Sequence, residues 1–107
     1  MENKDFFEKV FEIVRKIPLG KVTTYGHIAH AIGLKSSARM VGWALNSVAG
    51  DMTIPCHRVI NRNGELTGKR HFATPTFMKE MLESEGIEFD EETINLKKYL
   101  WIPGVNC

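Results

Sequence analysis

TYGHIAHAIGLKSSARMVGWALNSV, residues 24–48, is the stretch that decides the fold of this 107-residue chain. Thr24 suits the N-cap of a helix carrying Ile28, Ala29 and Ile32, because its hydroxyl can accept a first-turn N–H, and Gly33 stops that helix. Ser36 or Ser37 then caps a third helix whose Val41, Ala44, Leu45 and Val48 recur on one face. Two short helices separated by Gly33-Leu34-Lys35 form a helix-turn-helix pattern. Many helical pairs share that outline, so the flanks must supply the rest.

Upstream, residues 5–17 place Phe6, Phe7, Val10, Phe11, Val14 and Ile17 at helical spacing, with Pro18-Leu19-Gly20 as the stop. An aromatic stripe of this period is a core face. Lys21-Val22-Thr23 reads as a short extended connection. Downstream, Ala49-Gly50-Asp51 breaks the third helix, and residues 57–61 and 65–68 flank Asn63-Gly64, the strongest short hairpin signal. Three helices followed by a hairpin make a winged helix-turn-helix DNA-binding domain, mainly α with a small β-hairpin. Thr74-Pro75 supplies an N-cap and a first-position proline for a last helix through Met78, Met81 and Leu82, ended by Gly86. The tail, with Ile94, Leu96, Tyr99, Leu100 and Trp101, is too apolar to be left in water. It is expected to fold back on the core, with the first helix as the candidate surface.

Composition bounds the rest. At 43% hydrophobic, residues 1–107 read as one domain with a single modest core. No apolar run reaches membrane-spanning length and residues 1–5 are charged, so a cytoplasmic monomer with no membrane association is expected. Cys56 and Cys107 make no disulfide framework, and cytosolic thiols stay reduced. The net charge of +1 argues mildly against nucleic acid, but its distribution is uneven. Arg15, Lys16, Lys21, Lys35 and Arg39 lie in an acid-free stretch, and Arg58, Arg62, Lys69 and Arg70 face one acid, Glu65. Acids gather in 80–92, which leaves one face free to meet phosphates.

Ile54-Pro55-Cys56-His57-Arg58-Val59 sets a thiol beside an imidazole and a guanidinium. A thiol attacks as its thiolate, and basic or cationic neighbours ease that ionisation. Arg58 itself reads as structural or phosphate-pairing. His27, His30 and His71 with Cys56 match no zinc spacing, and no metal or cofactor is implied. Trp43 is expected in the core, with DNA contact as the second option.

Four motifs in order, over residues 5–89, resemble the O6-alkylguanine-DNA alkyltransferase family and its alkyltransferase-like relatives: Gly20-Lys21-Val22-Thr23-Thr24-Tyr25, Ala38-Arg39-Met40-Val41-Gly42, the Pro-Cys-His-Arg motif, and Leu82 with Glu85-Gly86. The resemblance implies binding to double-stranded DNA through the minor groove, with O6-alkylguanine flipped out of the stack. Displacement at an alkyl carbon needs a nucleophile, a base behind it and a proton donor for the departing purine. By resemblance these are Cys56, His57 oriented by Glu85, and Tyr25. Arg39 would fill the gap left by the flipped nucleotide, with Ser37, Ala38, Met40 and Gly42 on the same helix and Lys69 and Arg70 beyond the hairpin as further DNA contacts.

The chain departs from the pattern in places. Val48-Ala49 replaces Asn-Pro after the recognition helix, Lys69 stands where a tyrosine belongs, and the N-terminal domain that most alkyltransferases carry is expected to be absent. Alkyltransferase-like proteins usually have Trp or Ala in place of the cysteine. The leading expectation is therefore a single-turnover methylated-DNA–protein-cysteine methyltransferase acting through Cys56. The alternative is a non-catalytic lesion sensor that hands O6-alkylguanine to other repair proteins, and a third reading is a winged-helix transcription regulator.

Overall fold

The computed structural model describes residues 3–33, 37–48, 51, 53–66 and 76–104. Its first element, α1 (Asn3–Arg15), buries Phe6, Val10, Phe11 and Val14 at the spacing of one helical face, and Ile17 follows them into the core. Helix α2 (Tyr25–Ile32) and helix α3 (Ala38–Asn46) form the helix-turn-helix. Both begin as their sequences dictate. Thr24 and Ser37 are extended residues whose hydroxyls accept the N–H of His27 at 3.1 Å and of Met40 at 3.2 Å. Of the two candidate serines Ser37 is the cap, while Ser36 lies outside the described residues. Gly33 ends α2 at φ 143°, a conformation that side chains disfavour. The three helices enclose one apolar cluster, completed by Ile28, Ala29, Val41, Ala44, Leu45, Ile54 and Val59.

The strands add a pairing to the expected hairpin. Residues Cys56–Arg58 form one 3₁₀ turn, so the strand begins at Val59. This strand, β2 (Val59–Ile60), pairs in parallel with β1 (Thr23–Thr24), and of the expected second hairpin arm residues 67–68 lie outside the described residues. A turn does close around Asn63-Gly64, through Gly64 N–H to Asn61 O at 3.0 Å and Asn61 N–H to Glu65 O at 3.1 Å. Glu65 then bridges Thr93, and the segment 67–75 lies outside the described residues. The described residues hold a second, antiparallel pair, β3 (Phe89–Asp90) with β4 (Thr93–Ile94), turning through Glu91 at φ 59°. Alternation along β2 divides the interior, since Val59 faces the three-helix cluster and Ile60 a second one.

Gly64 couples the turn to that second pair. Its φ is +81°, its carbonyl accepts Ile94 N–H at 2.9 Å, and a Cβ there would lie 2.4 Å from Ile94 O. Gly64→Ala combines a disfavoured backbone with a collision against main chain. It should destabilise the fold by about 2–4 kcal/mol in thermal or denaturant melts. An unchanged melting temperature would show that the turn relaxes freely.

Helix α4 (Phe77–Ser84) buries Met78 and Leu82, and Gly86 at φ +95° lets the chain leave it. Thr74-Pro75, expected at its start, lies outside the described residues, and Thr76 hydrogen-bonds Glu80 instead of capping the backbone. After helix α5 (Leu96–Tyr99) the tail folds back, but chiefly away from α1. Ile94 and Tyr99 join Val22, Ile60, Met78, Leu82 and Ile87 in the second cluster, while Trp101 packs on the first. The backbone explains this destination. Val22 offers an unused edge, donating to Tyr99 O at 3.0 Å and accepting from Trp101 N–H at 2.7 Å. No helix among the described residues is long and apolar enough to cross a membrane.

Candidate nucleic-acid interface

Pro55 shapes the motif loop. Its ring holds φ at −76°, and with ψ at 69° and Cys56 N–H donating to Ile54 O at 2.7 Å it centres an inverse γ-turn. Ile54 anchors the turn in the core, Cys56 emerges half-buried, and the 3₁₀ turn follows. With three residues per turn, successive side chains diverge by about 120°. Neighbours in sequence, Cys56 and His57 are thereby directed to different places.

The His57 imidazole is buried and its Nε2 lies 2.7 Å from Glu85 Oε2. Arg58 grips the same carboxylate with two prongs, Nε to Oε1 at 2.9 Å and Nη2 to Oε2 at 3.0 Å, and its Nη1 donates to Ile17 O at 2.9 Å. One guanidinium thus ties the motif loop, the end of α4 and the end of α1 together. Sequence reading placed Arg58 among structural or phosphate-pairing residues without finding this clamp, because its partners lie far along the chain.

The charge states follow. Burial alone would raise the Glu85 carboxyl, but hydrogen bonds from Arg58 and His57 outweigh it and hold it below the usual carboxylate range. Burial lowers the His57 imidazole, and the pull of Glu85 does not fully offset it. A neutral ring facing an ionised carboxylate must carry its proton on Nε2, which leaves Nδ1 as an acceptor.

Cys56 goes the other way. Burial, and then the negative charge of Asp51, pushes its thiol up to about 11, while neither His57 nor Arg58 is among the groups that lower it. Asp51 is itself held ionised by Thr53, whose N–H and hydroxyl reach Oδ1 at 2.9 and 2.6 Å. At neutral pH the group at position 56 is therefore a protonated thiol. Nothing in the sequence pattern pointed to Asp51. Tyr25, the first residue of α2, is half-buried against the three-helix cluster.

Helix α3 presents the other half of the site. Val41, Ala44 and Leu45 face inward, while Ser37, Ala38 and Arg39 are exposed and Met40 and Gly42 half-exposed. A mid-helix glycine costs about 1 kcal/mol against alanine, yet a Cβ at Gly42 would meet open space, so no internal packing explains it. Trp43, expected in the core, is instead 56% exposed. At 100° per residue it sits about 200° round from Val41 and cannot share its face. Neither α2 nor α3 contains an acidic residue. Lys69 and Arg70 lie outside the described residues, among which no group of three or more His, Cys, Asp or Glu could hold a metal ion.

A capped helix pair whose second helix offers small residues and one arginine, with no carboxylate beside them, is the fold of a DNA-binding helix-turn-helix domain. The chain belongs to the family described as the DNA-binding domain of 6-O-methylguanine DNA methyltransferase, whose model matches residues 5–87. It is 39% identical to alkyltransferase-like protein 1 of Schizosaccharomyces pombe, over 96% of this chain and 100% of that protein. It is 40% identical to a DNA base-flipping protein of Vibrio parahaemolyticus, over 92% of this chain and 97% of the relative. Among solved structures, the S. pombe Atl1 protein in complex with damaged DNA containing O6-carboxymethylguanine superimposes with a TM-score of 0.83 at 38% identity, covering 96% of this chain and 100% of that one.

These findings correct the expectation of a methyltransferase. The relatives matched along nearly their whole length are named for alkyltransferase likeness or base flipping. Relatives named methylated-DNA–protein-cysteine methyltransferase match over 50% of their length or less.

Proposed function

We propose that this protein is a non-catalytic sensor of O6-alkylguanine in double-stranded DNA, which flips the damaged nucleotide, holds it, and presents the complex to other repair proteins. The observation that carries the reading is Arg39, exposed in the first turn of an acid-free recognition helix flanked by Ala38 and Gly42. Small neighbours let the helix backbone approach the minor groove, and a guanidinium can fill the space of an extruded nucleotide while pairing with what it leaves behind. Ser37 and Met40 border the same surface, and Lys69 and Arg70 would add phosphate contacts from the far side of the turn. Unstacking costs a few kcal/mol and least for a damaged pair, so the lesion lowers the cost of the very state that Arg39 stabilises.

Tyr25 and the motif loop would receive the base. His57 and Glu85 act as positioning residues, with Arg58 locking Glu85 and the loop in one shape. The thiol of Cys56 contributes a small half-buried surface. We place the working protein in the cytoplasm as a monomer. Incubation with an O6-methylguanine duplex, followed by intact-mass measurement, tests the reading. The protein should be recovered at its original mass with the lesion still methylated, and Cys56→Ala should bind within about threefold of wild type, as for a near-neutral contact. A protein heavier by one methyl group would overturn it.

A further inference from the structure

Trp43 stands exposed on the outer face of α3. It is the largest side chain among the exposed hydrophobic residues described, and it lies four residues after Arg39, one helical turn along the same outward face, with Asn46 a turn further on. The core side of α3 is satisfied by Val41, Ala44 and Leu45, so the indole is not a misplaced core residue. An indole left in water beside an arginine, on a helix with no carboxylate, lacks the charge that would favour a basic protein partner. It has what a nucleic acid uses, a flat π-face and one N–H donor next to a cation.

We infer that Trp43 is a second DNA-contact residue of the recognition helix, its indole packing on the sugars and base edges about 6 Å along the helix axis from Arg39. The inference rests on the proposed DNA reading and deepens it. Arg39 acts on the flipped nucleotide, whereas Trp43 grips the duplex whether or not a base is damaged.

The test compares affinities of wild type, Trp43→Ala and Trp43→Phe for duplexes with guanine or O6-methylguanine at one position. Trp43→Ala should weaken both by a similar factor, roughly 5- to 100-fold if one aromatic stacking contact is lost, and Trp43→Phe should recover most of it. Trp101 is the other tryptophan in the chain and packs on the core. In a Trp101→Phe background, DNA should therefore change the emission of Trp43 directly. Melting curves check the fold, which truncation of an outward side chain leaves intact. Wild-type affinity of Trp43→Ala for both duplexes, with selective lesion binding preserved, would overturn the inference alone. Failure of wild type to bind either duplex would overturn the proposed function with it.

Discussion

Arg39→Ala should lose roughly ten- to hundredfold in affinity for an O6-methylguanine duplex and much less for the unmodified one, since each tenfold corresponds to about 1.4 kcal/mol and holding a base out of the stack is worth a few. The asymmetry carries the argument. A side chain that only pairs with phosphates acts alike on every duplex, while one that replaces an extruded nucleotide acts where extrusion happens. Arg39 is exposed and has no core role, so truncation should leave the melting temperature within about 4 °C, as for most surface substitutions. Arg39→Lys should rescue little, because an ammonium cannot offer a planar fork. Titrations of both duplexes at one salt concentration decide the matter, and equal losses on the two would reduce Arg39 to a phosphate contact.

The second large effect falls on stability. Glu85→Ala removes the carboxylate that both His57 and Arg58 hold, with side-chain exposures of only 12%, 6% and 15% for the three groups. Breaking a buried charged pair from one side costs about 3–5 kcal/mol, because the guanidinium is left desolvated without its anion. At this chain length that lowers the melting temperature by at least about 10 °C. Glu85→Gln keeps the shape and should cost less.

The pair also sets an acid limit. His57 is depressed below 6.5 and Glu85 below 4.5 in the folded state, so the unfolded chain binds more protons as pH falls through each value. Stability is then full at neutral pH, begins to fall below 6.5 through His57, and falls further below 4.5 as Glu85 protonates. Glu85→Gln should shed the second part of that loss. Melts from neutrality to about pH 2 check this. A variant that tracks wild type at an offset throughout would show that Glu85 is not the titrating group.

What could be read in the chain sorts by distance along it. Thr24, Gly33 and Ser37 announce their helix ends because a cap is a bargain between residues three or four apart. Asn63-Gly64 likewise forms its turn. The strand that follows the 3₁₀ turn finds a partner in Thr23–Thr24, and two-residue strands carry too little pattern to reveal a parallel match of that separation. The Phe89–Ile94 hairpin went unseen for a related reason, since it turns on Glu91, which has none of the usual turn chemistry. Arg58 shows the limit most clearly, as its three bonds reach two distant helix ends that no local signal connects to it.

Trp43 and Cys56 differ in what the sequence reveals of them. The outward position of Trp43 was implicit in the phase of Val41, Ala44 and Leu45, and hydrophobicity outweighed periodicity in reading it. The state of Cys56 could not be read at all. A cysteine beside histidine and arginine suggests an activated thiol, yet burial and Asp51 hold the proton on, and both depend on how the loop folds.

The reading proposed for this protein turns on whether one alkyl group on guanine changes its affinity for DNA. Equilibrium titration of wild type against two duplexes identical except for a methyl on O6 of one guanine tests it most directly. The account predicts affinity at least about tenfold greater for the methylated duplex, the ratio expected when a lesion spares part of the unstacking cost. Equal affinity for the two would contradict it.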